Sequence, residues 1–346
     1  MNLSAKSEPI TQSFFAIVIG LFIGAILMAA FGYNPIYAYA MLLYGAFGGV
    51  PEIMETLAFA VPVMLTGLTF AVGVRAGLFN IGAEGQMYLG ALGAVIVGGA
   101  LNFPPGLHLV FTTLMSAFMG VLWAVIPALL KISRGVHEVV STIMFNWIGF
   151  WLVIYLVVYQ FAEPGRAERS LPVLPSARYG VLLEGSTLTT IIFVAVALCL
   201  LFYFILWGTK MGYELRVMGA NPDAAKYAGI KPWRTTLLAF ILGGIAAGLA
   251  GGSQVMGRPP AWSLYATLGN VVGLGFDGLS VALIGRNHPI GVIFASIFLG
   301  ALSQGSRTMQ YYAGVYFELV RAISGIIILA LSVPEALAIF RRWRKK

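Results

Sequence analysis

Two short stretches hold most of the side chains able to act on a solute within an otherwise apolar chain. The first, residues 75–90, reads Arg-Ala-Gly-Leu-Phe-Asn-Ile-Gly-Ala-Glu-Gly-Gln-Met-Tyr-Leu-Gly and places Arg75, Asn80, Glu84 and Gln86 at the joint of two apolar runs. A carboxylate at membrane depth needs a partner, and Arg75 or the amides of a helix start near Asn80 are the candidates. Glu84 is then either a structural clamp or a wall of a route through the protein. The second stretch, residues 273–289, carries Asp277, Ser280, Arg286, Asn287 and His288 between glycines. Phe276-Asp277-Gly278 echoes Phe79-Asn80-Ile81-Gly82, a hint of an internal repeat with a site where the repeats meet. Glycines at 77, 82, 85 and 90 let helix backbones approach closely.

Bond-making chemistry is poorly served. His137-Glu-Val-Val-Ser141 falls one residue short of a zinc-protease H-E-x-x-H, and Ser141 cannot replace an imidazole ligand. The chain has 3 histidines and contains neither G-x-S-x-G nor G-x-x-x-x-G-K-[ST], so it shows no serine elbow and no ATP-hydrolysing P-loop. No catalytic residue and no metal-ligand set is assigned.

The elements that must position these residues are membrane spans. Hydrophobic residues make up 59% of the 346 and charged residues 10%, well under half of the roughly 25% typical of soluble chains. Mean hydropathy is +0.89, which reads as an integral membrane protein. The formal charge of +8 comes mostly from cations between apolar runs or in the last six residues, a topology pattern rather than a nucleic-acid footprint. The single cysteine, Cys199, excludes an intrachain disulfide.

Spans of roughly 20 apolar residues are expected over residues 14–31, 57–74, 78–101, 107–130, 139–160, 187–207, 235–256, 264–284, 289–304 and 312–333. The run at 14–31 exceeds a signal-peptide core and is read as a retained span. The run at 264–284 is interrupted by Gly269, Gly273, Gly275, Asp277 and Gly278 and is expected to be broken or re-entrant. This is an all-α polytopic protein of about ten helices. With the N-terminus inside, fifteen cations fall on the cytoplasmic side against five outside (Arg166, Arg169, Arg178, Arg258 and Arg307), and Arg321 lies within the last span. Both termini are therefore expected in the cytoplasm, with a short segment 1–13, one transmembrane domain 14–334 and a basic tail 335–346.

Two loops are long. The outer one, residues 161–186, carries Pro164, Pro172 and Pro175 and is expected to be irregular with extended pieces. The inner one, residues 208–234, has Asn221 as an N-cap, Pro222 at the first helical position, Asp223 at the positive helix end and Gly229 to close it. A short helix over 222–228 follows, with another over 212–218.

Four motifs in order give a specific resemblance: Gly77-Leu-Phe-Asn-Ile-Gly-Ala-Glu-Gly-Gln86, Arg134-Gly-Val-His-Glu-Val-Val-Ser-Thr142, Gly212-Tyr-Glu-Leu-Arg-Val-Met-Gly-Ala-Asn221 through Ala228-Gly-Ile230, and Gly275-Phe-Asp-Gly278 with Gly285-Arg-Asn287. Over residues 55–333 the chain resembles the permease subunit of bacterial ABC importers in the simple-sugar and nucleoside branch, those served by basic-membrane-protein-type lipoproteins. The resemblance implies a multi-pass protein of the bacterial plasma (inner) membrane that binds no cofactor itself. Its partners would be a second, related permease in a heterodimer, an ATP-binding subunit that holds the ATP and Mg, and an external substrate-binding lipoprotein. It also implies that the inner loop docks in a groove of the ATPase, through Gly212, Glu214, Arg216, Gly219, Asn221, Asp223, Ala224 and Gly229. Nucleosides and sugars are uncharged, polar and partly flat, so their route needs aromatic or methionine surface with a few polar groups. Phe79, Asn80, Glu84, Gln86, Met87, Phe276, Asp277 and Ser280 are the candidates. The rival reading is an ion- or proton-coupled secondary transporter with Glu84, Asp277, Glu318 and Arg321 as relay residues; it has no need of the capped inner loop.

Overall fold

The computed structural model describes residues 18–316 together with residues 318–320, 322, 323, 325, 326 and 329. The expected segment 1–13, the start of the first span, Arg321 and the basic tail 335–346 lie outside these residues.

The chain is built from helices, in order α1 (Val18–Ala30), α2 (Pro35–Phe47), α3 (Val50–Arg75), α4 (Ala83–Ala100), α5 (Leu107–Arg134), α6 (Glu138–Tyr159), α7 (Ile191–Gly208), α8 (Lys210–Ala220), α9 (Pro222–Tyr227), α10 (Pro232–Met256), α11 (Leu274–Ile284) and α12 (Pro289–Ala313). Among the described residues, six of these, α3, α5, α6, α7, α10 and α12, are long and apolar enough to cross a membrane. A polytopic helical membrane protein is thus what the sequence folds into, but its helices do not follow the ten expected spans one for one.

Two departures have physical causes. α2 was not expected, because its 13 residues are too few for a span, yet Asn34 caps it by accepting the Ile36 and Tyr37 amides and Pro35 opens its first turn. The expected span at 264–284 is helical only over the 11 residues of α11, about 16 Å of rise against a hydrocarbon core of about 30 Å. The residues before it pair with the outer loop instead. There β1 (Ala162–Glu163) and β2 (Arg166–Ser170) form a hairpin. Ser170 donates its amide to the Leu264 carbonyl at 2.8 Å, Ala266 to Glu168 at 2.9 Å and Val173 to Trp262 at 2.7 Å.

The chain divides into two compact units, residues 57–298 and residues 1–56 with 299–346. In the smaller unit α2 meets the end of α12 through Gly45, whose missing Cβ leaves room for Thr308, and Gly305, which lies on the Leu42 carbonyl. The larger unit has α4 and α10 at its core, with one face of α5 packed on them. α4 and α10 touch backbone to backbone, Gly90 on Gly248 and Gly251 on Met87, while Gly120 of α5 lies on Gly244 and Gly248. Because lipid gives helices no hydrophobic reason to associate, such close approaches supply the packing energy. Both polar stretches lie in this larger unit.

Candidate functional site

The Glu84 carboxylate, at the first turn of α4, accepts four hydrogen bonds. Three come from the opening amides of α11: Gly273 at 2.5 Å, Gly275 at 2.6 Å and Phe276 at 3.2 Å. The fourth is the Tyr88 hydroxyl at 2.7 Å, one turn along α4. The first turn of a helix carries amides with no partner inside it and a partial positive charge, so a carboxylate from another helix acts as its cap. Of the partners expected for Glu84, helix-start amides are the ones found, but they belong to α11 and not to a helix near Asn80. Arg75 turns to the other end of the same helix, where its Nε donates to the Asn287 carbonyl at 2.8 Å and Nη2 to the Arg286 carbonyl at 3.0 Å.

The glycines of the second stretch explain how α11 comes so close. Gly275 and Gly278, one turn apart, face α4 and α3, where a Cβ would overlap Glu84 and Thr66. Thr66 Oγ1 also donates to the Leu274 carbonyl at 2.9 Å. With that face committed to packing, Phe276 is left 48% exposed on another.

A cavity of about 240 Å³ opens where the starts of α4 and α11 meet α6, and Glu84, Tyr88, Asn146, Trp147, Phe150 and Phe276 contribute to its wall. Tyr88 and Phe150 have ring centres 5.8 Å apart, and Trp147 meets Phe150 edge-on at 5.9 Å. The Asn146 amide is committed to backbone, accepting from Gly85 at 2.8 Å and donating to Ile81 at 2.9 Å. The wall is therefore mainly aromatic, with one carboxylate and one phenol.

Of the eight candidate route residues, Glu84 and Phe276 line this cavity. Asn80, Gln86 and Met87 are buried: Asn80 Oδ1 accepts from the Gly82 amide at 3.0 Å and from Gln86 Nε2 at 3.1 Å, knitting the α3–α4 corner. Phe79 and Asp277 are exposed and Ser280 is half-buried, outside the lining. Glu318, named for the rival relay, is exposed. Sequence reasoning missed Tyr88, Asn146, Trp147 and Phe150. For Trp147 alone there was an available signal, the run of large apolar residues at 144, 147, 148, 151 and 155 on α6, all exposed at helical spacing.

The expected coupling loop forms α8 and α9. Thr209 Oγ1 accepts the Gly212 amide to cap α8, and Asn221 Oδ1 caps α9 from Asp223 at 3.1 Å and Ala224 at 3.0 Å, as its spacing predicted. Gly229 adopts φ +77° and ends the turn after α9. Met218, Ala225 and Ile230 form a small core between the two helices. Glu214 pairs loosely with Lys210 at 4.0 Å and Asp223 with Lys226 at 3.4 Å, both at the surface. Gly219 points inward and lies on the Arg75–Gly77 backbone. Arg216 stacks over Trp207 at 5.6 Å, and Arg75 sits 5.5 Å from the same ring. Tyr227, which sequence reasoning passed over, is 95% exposed.

A multi-pass helical protein with a carboxylate-capped half-helix, an aromatic cavity and a separately capped helix pair is a solute permease in outline. Residues 52–332 match the family described as branched-chain amino acid transport system / permease component, and the chain belongs to it. The guanosine ABC transporter permease NupP of Bacillus subtilis is 35% identical over 93% of this chain and 92% of its own length. The nucleoside ABC transporter permease NupB of Lactococcus lactis is 32% identical over 96% and 93%. A glucose ABC transporter permease of Haloferax volcanii, TsgB13, is 29% identical over 95% and 87%. The B. subtilis guanosine transporter has a second matching permease, NupQ, 28% identical over 72% of this chain and 79% of its own length. The chain is the permease subunit of an ABC importer, a membrane component and not the ATPase.

Proposed function

We propose that this permease carries an uncharged, flat, polar solute of the nucleoside or simple-sugar class, and that the aromatic cavity between α4, α6 and α11 is part of its route. The observation that carries this reading is the cavity wall, where Trp147, Phe150 and Phe276 offer ring surface, while Glu84 and Tyr88 lie buried at its inner end, bonded to each other. Aromatic rings bind a base or the apolar face of a sugar by stacking and exclude bulk water. The relatives named for guanosine, nucleosides and glucose support the same class.

In this reading the protein sits in the bacterial plasma membrane with both termini cytoplasmic, as the distribution of lysine and arginine favours. It pairs with a related permease, receives solute from an external lipoprotein and docks α8–α9 on an ATPase subunit that binds ATP and Mg. Vesicle uptake of nucleosides, pentoses and flavins tests the class. Uptake of none of them by the wild type overturns it. Trp147→Ala and Phe276→Ala should each lower uptake about tenfold or more, the loss expected for a stacked ring; unchanged uptake by both moves the route elsewhere. Asn80→Leu and Gln86→Leu separate lining from packing. Reduced uptake at normal membrane abundance would return them to the route, whereas reduced abundance fits their burial at the corner.

A further inference from the structure

We propose that Arg75 and Glu84 are a pair of positioning residues that hold the half-helix α11 by its two ends, and that α8 acts on the solute route through this pair. The proposal rests on the reading that α11 borders the route. Arg75 ends α3 and Glu84 begins α4, so one corner of the chain reaches both ends of an 11-residue helix. The signs match the helix dipole: the carboxylate meets the amide end and the guanidinium meets the carbonyl end. At the amide end Glu84 takes the Gly273, Gly275 and Phe276 amides, and at the other end Arg75 takes the Arg286 and Asn287 carbonyls. Arg286 and Asn287 have φ of +54° and +51°; asparagine tolerates that region but arginine seldom adopts it, so the turn out of α11 gains from outside support at Arg286.

The same corner is where α8 arrives. Gly219 lies on the Arg75 carbonyl and the Gly77 amide with no side chain between, and a Cβ there would overlap both. Arg75 and Arg216 of α8 share the Trp207 ring, and His288, just beyond α11, lies 4.6 Å from that ring. A displacement of α8 must therefore either open this contact or carry the Arg75–Glu84 corner with it. Because Glu84 and Phe276 both line the cavity, moving the corner with α11 reshapes the cavity wall. The pair acts through α11 and need not touch solute for this role.

The test uses the assembled transporter in proteoliposomes, reading uptake, ATP hydrolysis and hydrogen exchange of residues 273–288 with and without a non-hydrolysable ATP analogue. Glu84→Ala should raise exchange at 273–276 about tenfold or more, since it removes charge-assisted acceptors, and should lower solute moved per ATP. Glu84→Asp should recover part of both, and Arg75→Ala should loosen the 286–288 end. Gly219→Ala changes neither clamp side chain but wedges a Cβ between α8 and the Arg75–Gly77 backbone, and should abolish the nucleotide-dependent change in α11 exchange. If the Gly219→Ala transporter still shows that change, or Glu84→Ala transports with unaltered stoichiometry, the proposal is wrong. Should Gly219→Ala fail to assemble, Arg75→Lys decides: unchanged exchange at 286–288 together with wild-type stoichiometry overturns it. Exchange is read without solute, so a wrong solute class leaves that arm standing, and a wrong clamp leaves wild-type uptake standing.

Discussion

Among the described residues, the groups that meet the buried Glu84 are amide and hydroxyl dipoles. Its four donors are the kind of acceptor-rich, charge-assisted arrangement that makes a buried carboxylate tolerable. The need for a partner was legible in the sequence but the partner was not, since the α11 amides lie 189 to 192 residues away. Asn221 is the opposite case: cap, proline and acidic first turn lie side by side, and the helix they foretell is the one found. Replacing Asn221 by Ala should cost α9 about 1 kcal/mol, read as faster amide exchange over 222–227 with α10 unaffected. A second residue-scale prediction concerns the outer hairpin, where the hydrogen bond from Arg169 holds the Glu163 carboxyl below the usual carboxylate range. The folded value is the lower one, so the pair's contribution is complete above the unfolded value of about 4.3 and is lost as pH falls through the folded value. Exchange at 162–170, relative to an unfolded peptide, should accordingly rise at acid pH in the wild type. In Arg169→Ala it should already be high at neutral pH and change little on acidification; equal pH profiles would discard the pair as a stabilising contact.

At the scale of elements, glycine spacing was legible as close packing, but what it packed against was not. Gly275 and Gly278 read in sequence as interruptions of a span, whereas in the fold they are the contact face that lets a short helix lie on α3 and α4. α2 and α11 escaped or distorted the span count for one reason: helices of 13 and 11 residues fall below the length on which hydropathy reasoning depends. The cap of α2 is local, Asn34 with Pro35, whereas α11 is capped by a distant carboxylate. Gly275→Ala and Gly278→Ala should each destabilise the protein by about 1–3 kcal/mol through overpacking against backbone that cannot yield, lowering the melting temperature of the purified protein. Gly180→Ala is the matched control, because the nearest atom to its Cβ would be Thr190 at 3.9 Å. A Gly275→Ala protein as stable as Gly180→Ala would mean that α11 is free to shift, contrary to the close contact described above.

For the whole molecule, the class of protein was legible because composition, periodic apolar runs and four ordered motifs all point the same way; the cavity was not, because it is assembled from α4, α6 and α11, which are remote in sequence. Orientation in the membrane is the property on which the remaining functional argument turns. If the excess of cations lies inside, α8 and α9 lie on the cytoplasmic side, where the proposed ATPase would meet them, and the 162–170 hairpin lies outside. Tyr227 stands 95% exposed on one of these surfaces and Arg166 is exposed on the other. In cells, Tyr227→Cys should resist a membrane-impermeant thiol reagent and become reactive in inside-out vesicles, while Arg166→Cys should behave in the reverse manner. Cys199 is buried and should contribute little background. Exposed tyrosines are frequent anchors of protein interfaces, so Tyr227→Ala should also weaken recovery of the ATPase subunit about tenfold or more, an effect that Arg166→Ala should lack. Gly219→Ala should retain the ATPase, since Gly219 faces the Arg75–Gly77 corner and not the surface. Labelling of Tyr227→Cys from outside intact cells would reverse the assigned topology, and with it the assignment of α8 and α9 as the element that meets the ATPase.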